Sequence, residues 1–312
     1  MSTLTPVGRT GSAGDERPLP ARRRRRQPHK QAYLLVAPCL LIIAVLVLYP
    51  LVVSLFDSVH VDNAVVASHA FVGSRNYTTV FSDPDFQRSA KNSAVYLAFT
   101  TFGCLGAGLG IAVWLHHVRR VRSFFLVIVI LPWAVPGTVT GILWSFIYSP
   151  VGGLLNAVLQ RLHLLHHDVL WLQGTWSGLA LVSLSLIWQT TPIVAVIFLA
   201  GLESIPQDLY EQAEIDGASG LKRFWTITLP LLRPSLAIGM LEASVIAISL
   251  FDQAYVLTGY APGTTSVIQQ IYLYAFREFN FGVGIAGSVI VTAATLLVSV
   301  AYLKGLYREV TY

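Results

Sequence analysis

Six stretches of this chain are predominantly apolar for about twenty residues or more, at approximately 33–56, 92–115, 124–148, 178–201, 235–258 and 283–304. A helix rises 1.5 Å per residue, so about 20 apolar residues cross the ~30 Å hydrocarbon layer of a bilayer. The alternating polarity of a transmembrane β-barrel is missing. Backbone groups in lipid must find their hydrogen bonds within the protein. The pattern therefore predicts an all-α membrane protein, a six-transmembrane-helix bundle occupying residues 31–312. The segments between the spans are too short for a core of their own.

One polar interruption, YEQAEIDGASGLKRFWTITLP from Tyr210 to Pro230, lies between the fourth and fifth spans. Pro206 suits the first turn of a helix. Asp208 and Glu211 favour its N-terminal half through the helix dipole. Leu209, Ala213 and Asp216–Gly217 recur at i, i+4 and i+7/8 and share a face that narrows to small side chains. Gly217 breaks that helix and Ser219 caps a second one. Leu221, Phe224, Trp225 and Ile227 make the second helix amphipathic before Pro230 stops it. The spacing predicts a helix–turn–helix over about 204–230, lying on the membrane surface. By itself it fits an ordinary amphipathic hairpin as well as a docking element.

Composition and charge sharpen this picture. Charged residues make up 12% of the chain and hydrophobic ones 54%, against about 25% charged in soluble domains. Cys39 and Cys104 both lie in apolar runs, with no disulfide or metal spacing. Sixteen of the 21 Lys and Arg fall before the first span, in the second and fourth loops and in the tail, and five (Arg75, Arg88, Lys91, Arg161, Arg277) in the others. The positive-inside rule then puts both termini in the cytoplasm. The run Arg22–Arg26 reads as a topology anchor that touches anionic lipid. It does not read as a nucleic-acid arm, and the apolar run after it is too long for a signal peptide. Residues 1–30 are expected to form a disordered, basic cytoplasmic N-terminus.

Polar groups inside spans are costly in lipid and face a cavity or bind neighbouring helices. Span five offers Glu242, Ser249 and Gln253 on nearly one face, with Asp252 at its edge. Span four offers Gln189 and Thr190 beside Pro192. Such donors and acceptors, set among Phe251 and Tyr255, suit a hydroxyl-rich cargo, and equally suit helix–helix glue. Gly106 and Gly110 in span two, with Gly284, Ser288 and Thr292 in span six, are spaced for close helix packing. Pro132, Pro136 and Gly137 are expected to bend span three. HLLHHD (His163–Asp168) reads as a solvated loop and not as a metal site.

The polar interruption, extended to EQAEIDGASGLKRFWTITLPLLRP, resembles the EAA loop of ABC-importer permeases. Four further stretches resemble the maltose/trehalose-type, sugar-importing branch of that family: YLLVAPCLLIIAVLVLYPLVVSLFDSV, FVGSRNYTTVFSDPDFQRSAKNS, LPWAVPGTVTGILWSFIYSPVGGLLNAVL and FDQAYVLTG. Together they cover nearly the whole chain from Tyr33 onward, in family order. The chain departs from the family at Gln212, usually alanine, and at TGYAPG, where many relatives carry Gly-Gly-Gly-Pro.

The resemblance implies the type I ABC importer permease fold, with Leu209, Glu211, Ala213, Asp216, Gly217 and Ala218 forming a coupling helix that docks into an ATPase subunit. It implies that the sugar is gripped by the spans flanking that loop, which hold Gln189, Thr190, Glu242, Ser249, Asp252 and Gln253. It also implies a second homologous permease, two ATPase subunits and an extracytoplasmic sugar-binding (lipo)protein, in a bacterial inner membrane. No Gly-x-x-x-x-Gly-Lys-[Ser/Thr] loop occurs in the chain. It is therefore expected to be no enzyme and to bind no cofactor, with ATP and Mg used by the partner ATPase.

Rival classes fit less well. A secondary transporter would usually show inverted repeats, and would leave the polar interruption unexplained. An intramembrane enzyme would need a nucleophile–base or metal constellation at depth. Glycerol-phosphate importers share the family; their cargo would favour Arg or Lys along the path, whereas 235–257 holds only acids.

Overall fold

The computed structural model describes residues 30–61, 70–118 and 120–306. The N-terminal stretch expected to be disordered lies outside these, except for Lys30. The chain divides into two compact units, with the boundary after Pro50. The first holds α1 (Lys30–Ile43) and a π-helical turn, Ala44–Leu48. The apolar helix runs on to Asp57, and from Leu51 its residues belong to the second unit.

The second unit continues through α2 (Arg75–Ser82), α3 (Pro84–His117), α4 (Arg122–Ile130), α5 (Gly137–Tyr148), α6 (Leu154–Arg161) and α7 (Thr175–Glu203). There follow α8 (Gln207–Ile215), α9 (Gly220–Arg223), α10 (Arg233–Ile248), α11 (Asp252–Thr258), α12 (Val267–Tyr272) and α13 (Phe281–Leu306). Among the described residues, four helices are long and apolar enough to cross a bilayer: Val36–Asp57, α3, α7 and α13. Two further apolar pairs are sharply bent, Arg122–Ala134 with α5 by 95° and Gly220–Leu231 with α10 by 69°; counting each as one crossing brings the total to six.

Proline explains both bends, since its ring removes a backbone donor and collides with the preceding turn. The first bend falls at Pro132–Gly137, where the sequence expects it. The second falls before Pro234, which sits in the first turn of α10. α7, by contrast, runs unbroken through Pro192.

In lipid no hydrophobic force separates a helix from the tails around it, so close approach and interhelical hydrogen bonds hold a bundle together. α3 and α7 show this best. A Cβ at Gly103 would lie 2.4 Å from Ile187 Cδ1, and one at Gly108 3.0 Å from Val194 Cγ1. Thr101 and Ser244 join α3 to α10 through a 3.0 Å hydroxyl pair. Gly106 and Gly110 are the pair expected to pack, yet a Cβ built on either would meet no atom within 4 Å. The contacting face is set by where the branched residues of α7 fall, which spacing within α3 cannot reveal. In span six, Gly284 does meet a neighbour, Ala275 Cβ at 3.2 Å.

Span five differs from expectation. The sequence suggests one helix over 235–258, whereas α10 ends at Ile248 and α11 begins at Asp252. A break at this depth strands backbone groups that must be satisfied within the protein. The Ser266 hydroxyl donates to the Leu250 carbonyl at 2.6 Å. Ser266 and Gln269 also form a capping box at the start of α12. The loop between, including TGYAPG, is strapped to α3. Asn92 donates to the Pro262 and Thr265 carbonyls at 3.1 and 3.0 Å, and Tyr96 to the Thr264 carbonyl at 2.7 Å.

Candidate functional site

The break in span five opens a cavity of about 300 Å³, lined by Gln189 of α7, Gly137 of α5, and Ser249, Phe251, Asp252 and Gln253, with apolar neighbours. This is at the small end of ligand pockets, which run from about 300 Å³ upward. A carboxylate, two amides and a hydroxyl converge there, and among the described residues no Lys or Arg lines it. Asp252 is exposed and opens α11. A Cβ on Gly137 would come within 3.2 Å of its carboxylate oxygen, so a glycine lets the acid lie against the α5 backbone.

Behind this rim runs a buried relay. The Gln253 amide donates to Gln189 Oε1, and the Gln189 amide donates to the Val135 carbonyl in the turn between the two prolines of the α4–α5 bend. Ser185 Oγ lies 3.3 Å from Gln253 Oε1. Gln253 is 2% exposed, so the relay ties α11, α7 and the bend together while only its edge meets the cavity.

Four of the six polar residues singled out from the sequence are thus brought together. Thr190 is buried and does not line the cavity. Glu242 is half-buried on α10, away from the cavity, with no side-chain hydrogen bond or ion pair among the described residues. The expectation that Glu242, Ser249 and Gln253 share a face assumed a continuous helix. The break turns Gln253 inward and leaves Ser249 and Asp252 exposed.

The close fit of α5 on α11 can be tested. A Cβ on Gly141 would lie 2.8 Å from Val256 Cβ and 3.4 Å from the Gln253 backbone. Gly141→Leu is expected to destabilise the fold by about 1–3 kcal/mol through overpacking, read as a lower melting temperature of the detergent-solubilised protein. Gly106→Leu, on an open face, should leave that temperature unchanged.

The second candidate element is α8 with its turn. Pro206 precedes the first turn, and Asp208 lies in it. Leu209 and Tyr210 pack towards the core around Leu115, Phe198 and Leu232. The Tyr210 hydroxyl pairs with Thr228 Oγ1 at 3.0 Å, bracing α8 on the segment after α9. Gly217 takes φ = +71°, a left-handed conformation that glycine adopts without steric cost. Ser219 then caps α9, accepting from the Lys222 amide at 3.4 Å.

Glu211, Asp216 and Gly217 are exposed, while Ala213 and Ala218 are half-buried. Leu209 turns inward, so the face inferred from spacing splits between core and solvent. The sequence reading missed Ile215, which is 86% exposed beside Gly217, and did not assign Leu221, 71% exposed, to docking. The available signal was an isoleucine placed between acids at the end of a polar helix. The tip thus presents an exposed apolar side chain and a glycine whose added Cβ would meet no atom within 4 Å.

Residues 104–307 match the family described as binding-protein-dependent transport system inner membrane component. The chain belongs to this family. The permease is 36% identical over 290 residues to the trehalose/maltose transport system permease protein of Thermococcus litoralis, covering 90% of this chain and 95% of the relative. It is 32% identical over 278 residues to the sulfoquinovosyl glycerol transport system permease protein of Agrobacterium fabrum, covering 88% and 89%.

Among solved structures, the permease resembles a bacterial ABC transporter involved in import of the acidic polysaccharide alginate. The TM-score is 0.75 at 19% identity, over 88% of this chain and 94% of that one. That likeness is one of fold, and it agrees with the type I importer architecture inferred from the sequence. The permease is thus a transport subunit built of membrane-spanning apolar helices.

Proposed function

We propose that the permease forms half of the translocation path of an ATP-driven importer for a neutral disaccharide or oligosaccharide. The observation that carries this reading is the cavity at the span-five break: a carboxylate, two amides and a hydroxyl beside Phe251, with no cation. Sugar hydroxyls both donate and accept, and amides and carboxylates serve them in fixed directions. A phosphate or sulfonate would instead call for Arg or Lys. The trehalose/maltose relative, at 36% identity, supports the same cargo class.

Ser249, Asp252, Gln189 and Gln253 contact or border the cargo, and Phe251 offers it a ring face. Glu242 and Thr190 support the helices around the path. The tip formed by Glu211, Ala213, Ile215, Asp216, Gly217 and Ala218 docks in a groove of an ATPase subunit, which hydrolyses ATP with Mg. Leu209 holds the base of that tip to the core. A second permease completes the path, a second ATPase subunit pairs with the first, and an extracytoplasmic binding protein delivers the sugar. The test is uptake by the full transporter in liposomes. Labelled trehalose or maltose should enter with ATP, and sn-glycerol-3-phosphate should not. The reverse preference would replace the cargo.

The proposed orientation places α8 and both termini in the cytoplasm of a bacterium. Ser82 and Ser219 are both exposed. In a variant with Cys39 and Cys104 replaced by alanine, Ser219→Cys should react with an impermeant maleimide only in inverted vesicles. Ser82→Cys should react only in intact cells. Swapped labelling would overturn the orientation.

A further inference from the structure

Beyond the cavity, aromatic rings continue in an unbroken row. Phe251 lines the cavity and stacks on Tyr255, with centroids 5.9 Å apart and planes 18° from parallel. Tyr255 meets Tyr260 at 5.1 Å, and Tyr260 lies 6.3 Å from Tyr272 with planes only 11° apart. Tyr272 touches both Phe251, at 5.3 Å, and Phe276, at 4.9 Å. The Arg277 guanidinium caps the row, 4.5 Å from the Tyr260 centroid. Phe251 immediately precedes α11, and the other residues come from α11, the loop after it, and α12 with its π-helical continuation. The row is therefore a product of the tertiary fold and not of one helix's periodicity.

Two features distinguish it from core packing. Tyr255, Tyr272 and Phe276 are 46%, 37% and 58% exposed. The phenols of Tyr255, Tyr260 and Tyr272 also have no hydrogen-bond partner among the described residues. Lipid is a poor match for such a surface. An interfacial belt sets single aromatic side chains at headgroup level around a protein, whereas this row starts in a polar cavity beside Asp252. Its chemistry suits a ring-shaped polyol. The C–H face of a pyranose lies on an aromatic face, and its rim of hydroxyls meets phenols that lack partners. Successive rings stay in contact, so a sugar passing along them keeps a stacking surface throughout.

The geometry points to a second carbohydrate-binding site on this chain, an aromatic ramp from Arg277 to Phe251 on which pyranose rings stack before entering the cavity. It rests on the reading of the cargo as a saccharide. The ramp selects rings over open-chain polyols, while the cavity recognises hydroxyl positions.

The test uses the full transporter in liposomes with its binding protein, with labelled maltose and sn-glycerol-3-phosphate as probes. Tyr272→Leu and Tyr255→Leu keep apolar bulk and lose the ring. Each should slow maltose uptake at subsaturating sugar by roughly twofold to tenfold, with complex yield and basal ATP hydrolysis unchanged. Tyr272→Phe, which keeps the ring, should retain most of the rate. Leucine variants that import maltose as well as the unaltered protein would overturn the ramp while leaving the saccharide reading intact. Variants that lose complex yield in step with transport would assign the row to packing against a partner or lipid, and would overturn it as well. Uptake of sn-glycerol-3-phosphate but not maltose by the unaltered transporter would remove the saccharide reading and the ramp with it.

Discussion

Gly217→Trp is expected to leave the permease inserted and folded, yet to abolish most sugar-stimulated ATP hydrolysis by the assembled transporter. Nothing lies within 4 Å of a Cβ built on Gly217, so the chain itself has no atom to oppose a side chain there. Bulk at this position is felt only by whatever covers the tip. The backbone adds a second effect, because φ = +71° costs an ordinary L-residue about 1–2 kcal/mol. Gly217→Asn separates the two, since asparagine tolerates the left-handed region while adding little bulk. It should retain most stimulated turnover where tryptophan loses it.

Ile215→Asp makes the same test from the apolar side. A residue 86% exposed contributes little to the fold. As an anchor in a partner's groove, however, it would carry about 2 kcal/mol or more, about 30-fold in affinity. Glu211→Ala, an exposed single charge, should change coupling only slightly. Co-elution of the variants with the ATPase subunits and their stimulated turnover give the readout. Normal assembly and turnover in both Gly217→Trp and Ile215→Asp would sink the docking assignment.

What was legible in the sequence was decided by short-range covalent facts. Apolar length marks helices that can cross a bilayer. Pro132 and Pro136 together with Gly137 mark the bend of span three, glycine at 217 takes the left-handed turn, and Ser219 caps the short helix after it. Apart from Ile215, the missed features depend on residues far apart in the chain. No proline or glycine marks the break at 249–251, and the polar residues beside it, Ser249, Asp252 and Gln253, fit one face of a continuous helix as readily as a broken one. It persists because Ser266 takes up the Leu250 carbonyl and Asn92 and Tyr96 hold the returning loop.

The same holds for the site. The cost of polar groups in lipid flagged Gln189, Ser249, Asp252 and Gln253, and these converge. That cost cannot say which way a helix turns after a break. A continuous helix offers Ala243, Ala247 and Leu250 as an alternative lining face. Ala243 is instead buried in the core shared with α3 and α7, and Ala247 in a second core with Tyr96 and Leu186; Leu250 belongs to that second core as well and meets the cavity only as one of its apolar neighbours.

The rim and the relay of the cavity should respond differently to substitution, and the difference separates recognition from construction. Asp252 is exposed at the mouth, so Asp252→Asn should spare assembly and melting temperature. A hydrogen bond to a charged group is worth about 1.5–3 kcal/mol, so apparent sugar affinity should fall by roughly 10- to 150-fold. Gln253→Leu should act on the scaffold first. It strands the Gln189 carbonyl, and an unsatisfied buried polar group costs about 1–3 kcal/mol, read as a lower melting temperature and lower complex yield. Replacing both partners removes the stranded group, so Gln189→Leu/Gln253→Leu should be more stable than Gln253→Leu alone. The pair would then show a coupling energy of the size found between residues in contact, about 0.5–3 kcal/mol. The double variant should nonetheless transport poorly, having lost two of the four polar groups at the cavity. Strictly additive losses in melting temperature would show that the two amides do not act as a unit. Unchanged sugar kinetics in Asp252→Asn would remove the carboxylate from the path and leave Ser249 as the rim's remaining polar contact.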